Sequence, residues 1–376
     1  MTRSEVIENF LKEYVEPESF RQIEQLDMFC KQNKKALANK FYNALEELAI
    51  EIIRQQNAGE KEAVSLINFQ VMRTDILFRD YKVHIQAYDK DFFLDKEPIH
   101  VDFNAKEMFC FIDEMRDKLY AGVKRYVGKI NSDDADIVVQ KELTHHIRYV
   151  INFARLAIRK FIQSEHFKQI KIGDEFIISA GEYKDYSDIL YSRTNNRESL
   201  EEIQEAINGK PYVEFLFRDF SGLQMQSFDL RGSNFCYSDF SGSNLSLSDM
   251  RVSYFINADF NKTTLGFTNL SHSLLNDANF ENSNLFGAEF TKARAGLTKP
   301  TFDVYYSPGF NGVVFTGADL REALFTEADF SGADFRDAKF ENTDFTDTDL
   351  TGALFNKEDI KQLSLSDQQL KTIITE

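Results

Sequence analysis

Two different periods organise the apolar residues of this chain. Through residue 165 the spacing is helical. Leu37, Phe41, Leu45, Leu48 and Ile52 recur on one face of a 3.6-residue turn. Met108, Ile112, Met115, Leu119, Val123 and Tyr126 do the same, opened by Asn104 with Glu107 three residues on and closed by Gly128. A third run, Ile137, Ile147, Val150, Ala154, Ile158 and Phe161, follows Ser132-Asp133-Asp134 at a helix start. These runs predict a helical bundle over 1–165. Residues 166–210 read as a linker in which Phe176-Ile177-Ile178 could form a short strand. The linker ends in a helix that the Ser199–Glu202 capping box opens and Asn208-Gly209 closes.

From residue 211 the period is five. Every position divisible by five from Phe215 to Phe290, sixteen in all, is Phe, Leu or Met. The eleven from Phe310 to Ile360 are Phe, Leu or Ile. Two residues earlier the side chain is small: Ser, Thr or Ala at all twelve such places from Ser233 to Ala288, and at all eight from Ala318 to Ala353. Five fits neither a helix face nor a strand face, so the chain must bend once per repeat. If each bend is about 90°, four repeats close a square coil. Its axis takes the large residues, and the second inward place must be small at native packing density. Asp or Asn between the two suits a turn. Gly at Gly222, Gly232, Gly242, Gly317, Gly332 and Gly352 relieves a corner. Successive coils would stack about 4.8 Å apart.

The consecutive units ADLRE, ALFTE, ADFSG and ADFRD, residues 318–337, resemble the A(D/N)Lxx consensus of the pentapeptide repeat proteins. The resemblance covers about 211–360. It implies the family's right-handed quadrilateral β-helix, so the expected fold is α plus β-solenoid: a helical bundle, the β-helix, and a short C-terminal capping helix over 361–376. The register breaks at 291–309. This segment contains Pro300 and Pro308, which cannot donate ladder bonds. It is either one distorted coil or a loop carrying Phe302, Tyr305 and Tyr306 away from the wall. At the far end, Leu370, Ile373 and Ile374 are expected along one face of the last helix, which either caps the final coil or forms a homodimer. Some family members that bind DNA gyrase dimerise through such a helix.

Composition narrows the partners. The formal net charge is −17. Residues 211–376 hold 24 acids and 13 bases, net −11. This balance disfavours direct binding to nucleic acid or anionic membrane and suits a basic protein partner. Cys30, Cys110 and Cys236 form neither a disulfide framework nor a zinc spacing, and no signal peptide pattern opens the chain, so a cytoplasmic setting is expected. No phosphate-cradling glycine loop, HExxH or nucleophile elbow appears. Glu142 and His145 make a single ExxH where di-iron bundles use two. No catalytic residue, metal or cofactor is therefore expected.

Three surfaces are candidates for contact. With four repeats per coil, residues twenty apart stack. Asp219, Asp239 and Asp259 then form one carboxylate column and Asp229 with Asp249 a second on the opposite side. Asp329 and Asp349 fall in register with each other. Asp319 continues the first column if 291–309 is a distorted coil. Leu216, Phe217, Cys236, Tyr237, Tyr254, Ile256 and Leu274 make an apolar cluster that would contact the helical domain or a second copy. His145, Arg148, Asn152, Arg155 and Arg159 line a polar helix stripe, either a docking strip or a solvated face. The function expected is a non-enzymatic scaffold presenting rigid faces to a protein. Two alternatives stand beside it: a DNA mimic that binds a type II topoisomerase, as gyrase-binding members of the resembled family are described, and an enzyme with its site in the helical domain.

Overall fold

A computed structural model describes residues 2–126, 128–194, 199–210, 212–297 and 309–376. The chain divides into two compact units, the first running to Ser192 and the second beginning at Arg193.

The first unit is not a helical bundle; it mixes helices with a five-stranded sheet. Its elements are α1 (Arg3–Phe10), α2 (Glu16–Gln32), α3 (Lys34–Ala58), β1 (Val64–Val71), α4 (Arg73–Leu77), β2 (Lys82–Tyr88), β3 (Ile99–Asn104), α5 (Lys106–Val123), α6 (Ser132–Phe161), α7 (Glu165–Gln169), β4 (Ile172–Glu182) and β5 (Ser187–Thr194). The sheet order is β3-β2-β1-β4-β5. β1 runs antiparallel to β2 and parallel to β4. Alternation builds its inner face: Val83, Ile85 and Ala87 are buried in β2 while the residues between them are half-exposed. Phe41 of α3 joins the layers, its ring centroid 4.7 Å from Phe103, 5.8 Å from Phe153 of α6 and 6.1 Å from Phe69. The three helical runs seen in the sequence are α3, α5 and α6. The linker reading fails between 172 and 194, where β4 and β5 complete the sheet.

The second unit is a four-sided coil. Bridges pair residue i with i+20, as in Asp219↔Asp239↔Asp259 and Asn234↔Tyr254↔Leu274. Each repeat contributes one inward large residue. Phe220, Phe240, Phe260, Phe280, Phe315, Phe335 and Phe355 form one continuous stack with neighbouring centroids 4.7–5.1 Å apart. Corners are four-residue turns: Ser238 N–H donates to the Phe235 carbonyl at 3.2 Å, and Tyr237, the third residue, has φ 64°. That is the type II geometry that favours Gly at this place. The Asp before each centre accepts the N–H two residues on, as Ser241 N to Asp239 Oδ1 at 2.7 Å. The small inward residue does more than save space. Thr263 Oγ1 donates to the Phe240 carbonyl at 2.7 Å and Thr268 Oγ1 to the Leu245 carbonyl at 2.8 Å, so the hydroxyls are satisfied inside the tube.

Between Ala295 and Val313 the pairing step changes from 20 to 35, as in Asn279↔Val314 and Arg294↔Asp329. Fifteen residues, three repeats' worth, are thus added between one rung and the next. A distorted coil would have kept the step at 20, so that alternative is corrected. The expected contacts of Phe302, Tyr305 and Tyr306 lie outside the described residues, as do Pro300 and Pro308. At the start of the tube, helix α8 (Leu200–Ile207) buries Ile203 in the axial core. At the end, β6 (Leu354–Phe355) pairs with β7 (Ile374–Thr375), and α9 (Asp367–Thr372) lies between them in sequence. Gln369 of α9 donates to the carbonyls of Phe345 at 2.8 Å and Thr348 at 2.9 Å on the last rung; the Phe345 carbonyl also accepts the turn bond from Thr348 N–H at 3.1 Å.

Candidate interaction faces

The turn chemistry decides which carboxylates remain available on the coil. Asp219, Asp239 and Asp259 do share one column. Each engages Oδ1 with a backbone N–H two residues on, at 2.9, 2.7 and 2.9 Å. Residues 221, 241 and 261 are Ser, Ser and Asn, so no cation stands at that place in these three turns. Burial pushes the Asp239 carboxyl up to about 6, against the Ser241 hydrogen bonds, with the charges of Asp259 and Asp219 adding to the effect.

The second column is different. Asp229 and Asp249 are each gripped by the Arg two residues later, with Nη2–Oδ2 distances of 2.6 Å at both. Arg231 also reaches Asp249 at 3.5 Å. The Arg231 and Arg251 hydrogen bonds lower the two carboxyl groups below their ordinary values. This column is a ladder of alternating charge rather than a row of bare anions. The same fork recurs at Asp319–Arg321 and Asp334–Arg336, both 2.7 Å. Its signal, Asp-x-Arg inside one repeat, is plain in the sequence and the column reading passed over it.

Asp329 and Asp349 pair with each other, yet they continue the column of Tyr254, Leu274 and Arg294 and join neither of the early Asp columns. Asp319 does not extend Asp219–Asp259; it follows Gln224, Asn244, Thr264 and Asn284. Both placements follow from the change of pairing step. In the apolar cluster, Tyr254 and Leu274 bridge. Phe217 stacks on Tyr237 with centroids 4.7 Å apart, Cys236 is buried, Leu216 and Ile256 are half-buried, and Tyr254 is exposed.

The helix stripe is not an open strip. Arg155 is 2% exposed and faces Asp188 of β5 at 3.6 Å, and Asn152 is buried beside it. Arg148 and Arg159 are half-buried. Burial depresses His145 to about 4, with Arg148 adding to the effect. Its neighbour His146 is fully buried, with Nδ1 2.7 Å from the Met108 carbonyl and Nε2 2.6 Å from Gln22 Oε1. Glu142, raised by burial, bonds Ser19 and Gln22. This polar core between α2, α5 and α6 was invisible in the helical pattern. Among the described residues no group of three or more His, Cys, Asp or Glu is placed to hold a metal, and no helix is long and apolar enough to cross a membrane.

At the C-terminus, Leu370, Ile373 and Ile374 do not share a helix face. Leu370 is in α9, Ile373 follows it and packs partly against the axial core, and Ile374 is already in β7.

Comparison with known proteins agrees with the five-residue geometry. The pentapeptide repeats family matches in eight copies over residues 219–251, 265–295 and 310–356. Similar solved structures include HetL, a pentapeptide repeat protein involved in heterocyst differentiation regulation in the cyanobacterium Nostoc sp. strain PCC 7120. It is 16% identical, with 42% of this chain and 98% of that one covered and a TM-score of 0.19. QnrB1, a plasmid-mediated fluoroquinolone resistance protein, is 18% identical over 43% of this chain and 82% of that one, with a TM-score of 0.21. A pentapeptide repeat protein of the Arabidopsis thaliana thylakoid lumen is 24% identical over 37% and 73%, with a TM-score of 0.12. No curated protein matches in sequence. The assignment rests on the repeat match and not on these superpositions. The family's repeats imply a right-handed quadrilateral β-helix, and it is the segments 219–251, 265–295 and 310–356 that carry the pentapeptide repeats of that family.

Proposed function

We propose that the chain is a non-enzymatic interaction scaffold whose β-helix presents rigid faces to a protein partner. The observation that carries this is the locked outer surface. Each rung is tied to the next by backbone hydrogen bonds, as Phe240 N to the Asp259 carbonyl at 2.7 Å, and the turn carboxylates are held by their own backbone. The backbone and turn carboxylates of such a wall lose little freedom on binding, which keeps the ordering cost of a contact small. The test is affinity capture from the source organism with the full chain and with variants reversed in charge one face at a time. Loss on one face with retention on the others supports the scaffold. Retention by every face variant, with loss on removing residues 1–192, overturns it.

A second reading, a DNA mimic acting on a type II topoisomerase, is favoured by one feature, the unforked column of Asp219, Asp239 and Asp259. The forks at Asp229, Asp249, Asp319 and Asp334 weigh against it, because a paired carboxylate does not stand in for a phosphate. A gyrase supercoiling assay with and without a quinolone separates the readings, and no effect at micromolar protein removes mimicry. Three further assignments belong to the scaffold reading: contact through Leu216, Phe217, Tyr237, Tyr254, Ile256 and Leu274, docking through Arg148 and Arg159, and a homodimer through Leu370 and Ile374.

A further inference from the structure

The left-handed corner is held by Gly at eight places from Gly222 to Gly352 and by Asn or Asp at Asn257, Asp277, Asn282, Asp337, Asn342 and Asp347, residues that tolerate it, while Ser227, Lys262, His272, Lys292, Glu322 and Glu327 put polar side chains there. Five corners carry apolar or aromatic side chains, Phe217, Tyr237, Leu247, Val252 and Phe267, and the most exposed of them are Leu247, Val252 and Phe267. Their φ values are 64°, 60° and 56°, and they remain 63%, 59% and 57% exposed. A bulky or β-branched side chain in this conformation is strained, and here no burial offsets the strain. Leu247 and Phe267 occupy the same corner of consecutive coils, since Leu247 N–H donates to Gly266 O and Phe267 N–H to Phe286 O on the next rung. The Phe267 ring is also held. It packs edge-on against Phe286 at 5.4 Å, and a Cβ on Gly287 would lie 2.6 Å from it, so Gly287 is the space the ring needs. Strain accepted to keep fixed apolar groups in solvent marks a contact surface.

We infer that the Leu247–Phe267–Phe286 ridge is a docking site for a basic amphipathic helix of a protein partner. The inference rests on the scaffold reading and gives it a place and a chemistry. Two observations choose the occupant. The rung spacing of about 4.8 Å sets Leu247 and Phe267 near the ~5–6 Å separation of i and i+3 or i+4 side chains on a helix. The surroundings are acidic. Arg321 lies over the Phe286 ring at 5.7 Å, but its charge is matched by the Asp319 fork at 2.7 Å; Glu322 holds the same corner beyond Gly287, Glu289 lies on the adjoining wall, and residues 211–376 carry 24 acids against 13 bases. A second copy of this chain would bring the same charge to the contact and be repelled.

The experiment titrates the full chain into a fluorescein-labelled helix of Leu and Lys, about five turns long, and follows anisotropy. A Leu/Glu helix of the same pattern is the control. Variants are Leu247→Asn with Phe267→Asn, since Asn accepts the left-handed corner. Expected results are binding of the Lys helix that weakens with salt, no binding of the Glu helix, and at least tenfold weaker binding by the double variant. Thermal melting separates this from a structural role. A docking residue gives a variant at least as stable as the parent, and a structural one gives a lower Tm. Equal binding by parent and variant moves basic-peptide binding elsewhere on the acidic coil and overturns the ridge while leaving the scaffold intact. Absence of binding to both helices overturns the partner chemistry. A parent that is dimeric by light scattering, with a monomeric variant, replaces the helix with a second copy and overturns the inference.

Discussion

At the scale of single residues, two desolvated ionisable groups, half-buried Asp239 and fully buried His146, bend stability in opposite directions. Asp239 has a folded pKa raised to about 6 from 3.8. Its favourable contribution is complete below pH 3.8 and is lost as pH rises through 6, because only the unfolded chain ionises freely. Asp239→Asn should therefore be more stable than the parent at pH 7.5, by a few degrees in Tm, and indistinguishable from it near pH 3.5. His146 is the reverse case: burial holds it near 4, below its ordinary 6.5. The unfolded chain takes up this proton first, so stability present above 6.5 is lost as pH falls toward 4. His146→Gln should flatten the acid side of the first unit's melting profile, read by near-ultraviolet dichroism against pH. Its absolute stability falls as well, because the bond to Met108 O goes with the ring.

At the scale of elements, the axial stack and the end cap do different jobs. Phe280 is fully buried between Phe260 at 4.7 Å and Phe315 at 5.1 Å, where it carries the stack across the break in register. Phe280→Ala should cost about 3–5 kcal/mol, measured by urea unfolding. Gln369→Leu keeps the volume of the cap but removes the amide bonds to the carbonyls of Thr348 and Phe345, the latter keeping only its turn bond from Thr348 N–H. A loss of about 1–3 kcal/mol is expected, again from urea unfolding. The five-residue repeat was legible because each of its places answers to one cause: ring to axis, hydroxyl or methyl to crowding, Asp to turn, Gly to corner. The sheet of the first unit was not legible. Val83, Ile85 and Ala87, then Ile99, Val101 and Phe103, alternate strictly, but each strand is only six or seven residues long, and the pair lies between the five residues of α4 and the 18 of α5. A strand that short offers few periods, and the apolar set of β1 also fits part of a helix. The faces of the tube were half legible. Columns twenty apart held where pairing was regular. Asp329 and Asp349 kept their register, but the column failed at Asp319 because the step to the next coil is 35 before it, and the sequence keeps its five-residue beat across the gap.

At the scale of the whole molecule, the second unit is close to one-dimensional. Each coil rests on its two neighbours, so the ends decide whether the rod stays single. The last rung is covered by the chain's own terminus: Ile374 N–H donates to the Ala353 carbonyl at 2.8 Å and Glu376 N–H to the Phe355 carbonyl at 3.1 Å. Removing residues 361–376 should uncover a strand edge and drive concentration-dependent association, seen as a rising scattering mass. The gap at 295–313 has a wider meaning. Fifteen residues is a whole number of repeats but not of coils. Such an insertion leaves every axial ring in phase and yet puts all later residues three quarters of a coil out of the twenty-residue count, so that Val314 stands beside Asn279. Gaining or losing a five-residue unit would likewise re-deal which groups stand on a common wall without disturbing the interior, so this architecture can change what it displays far more cheaply than what holds it up.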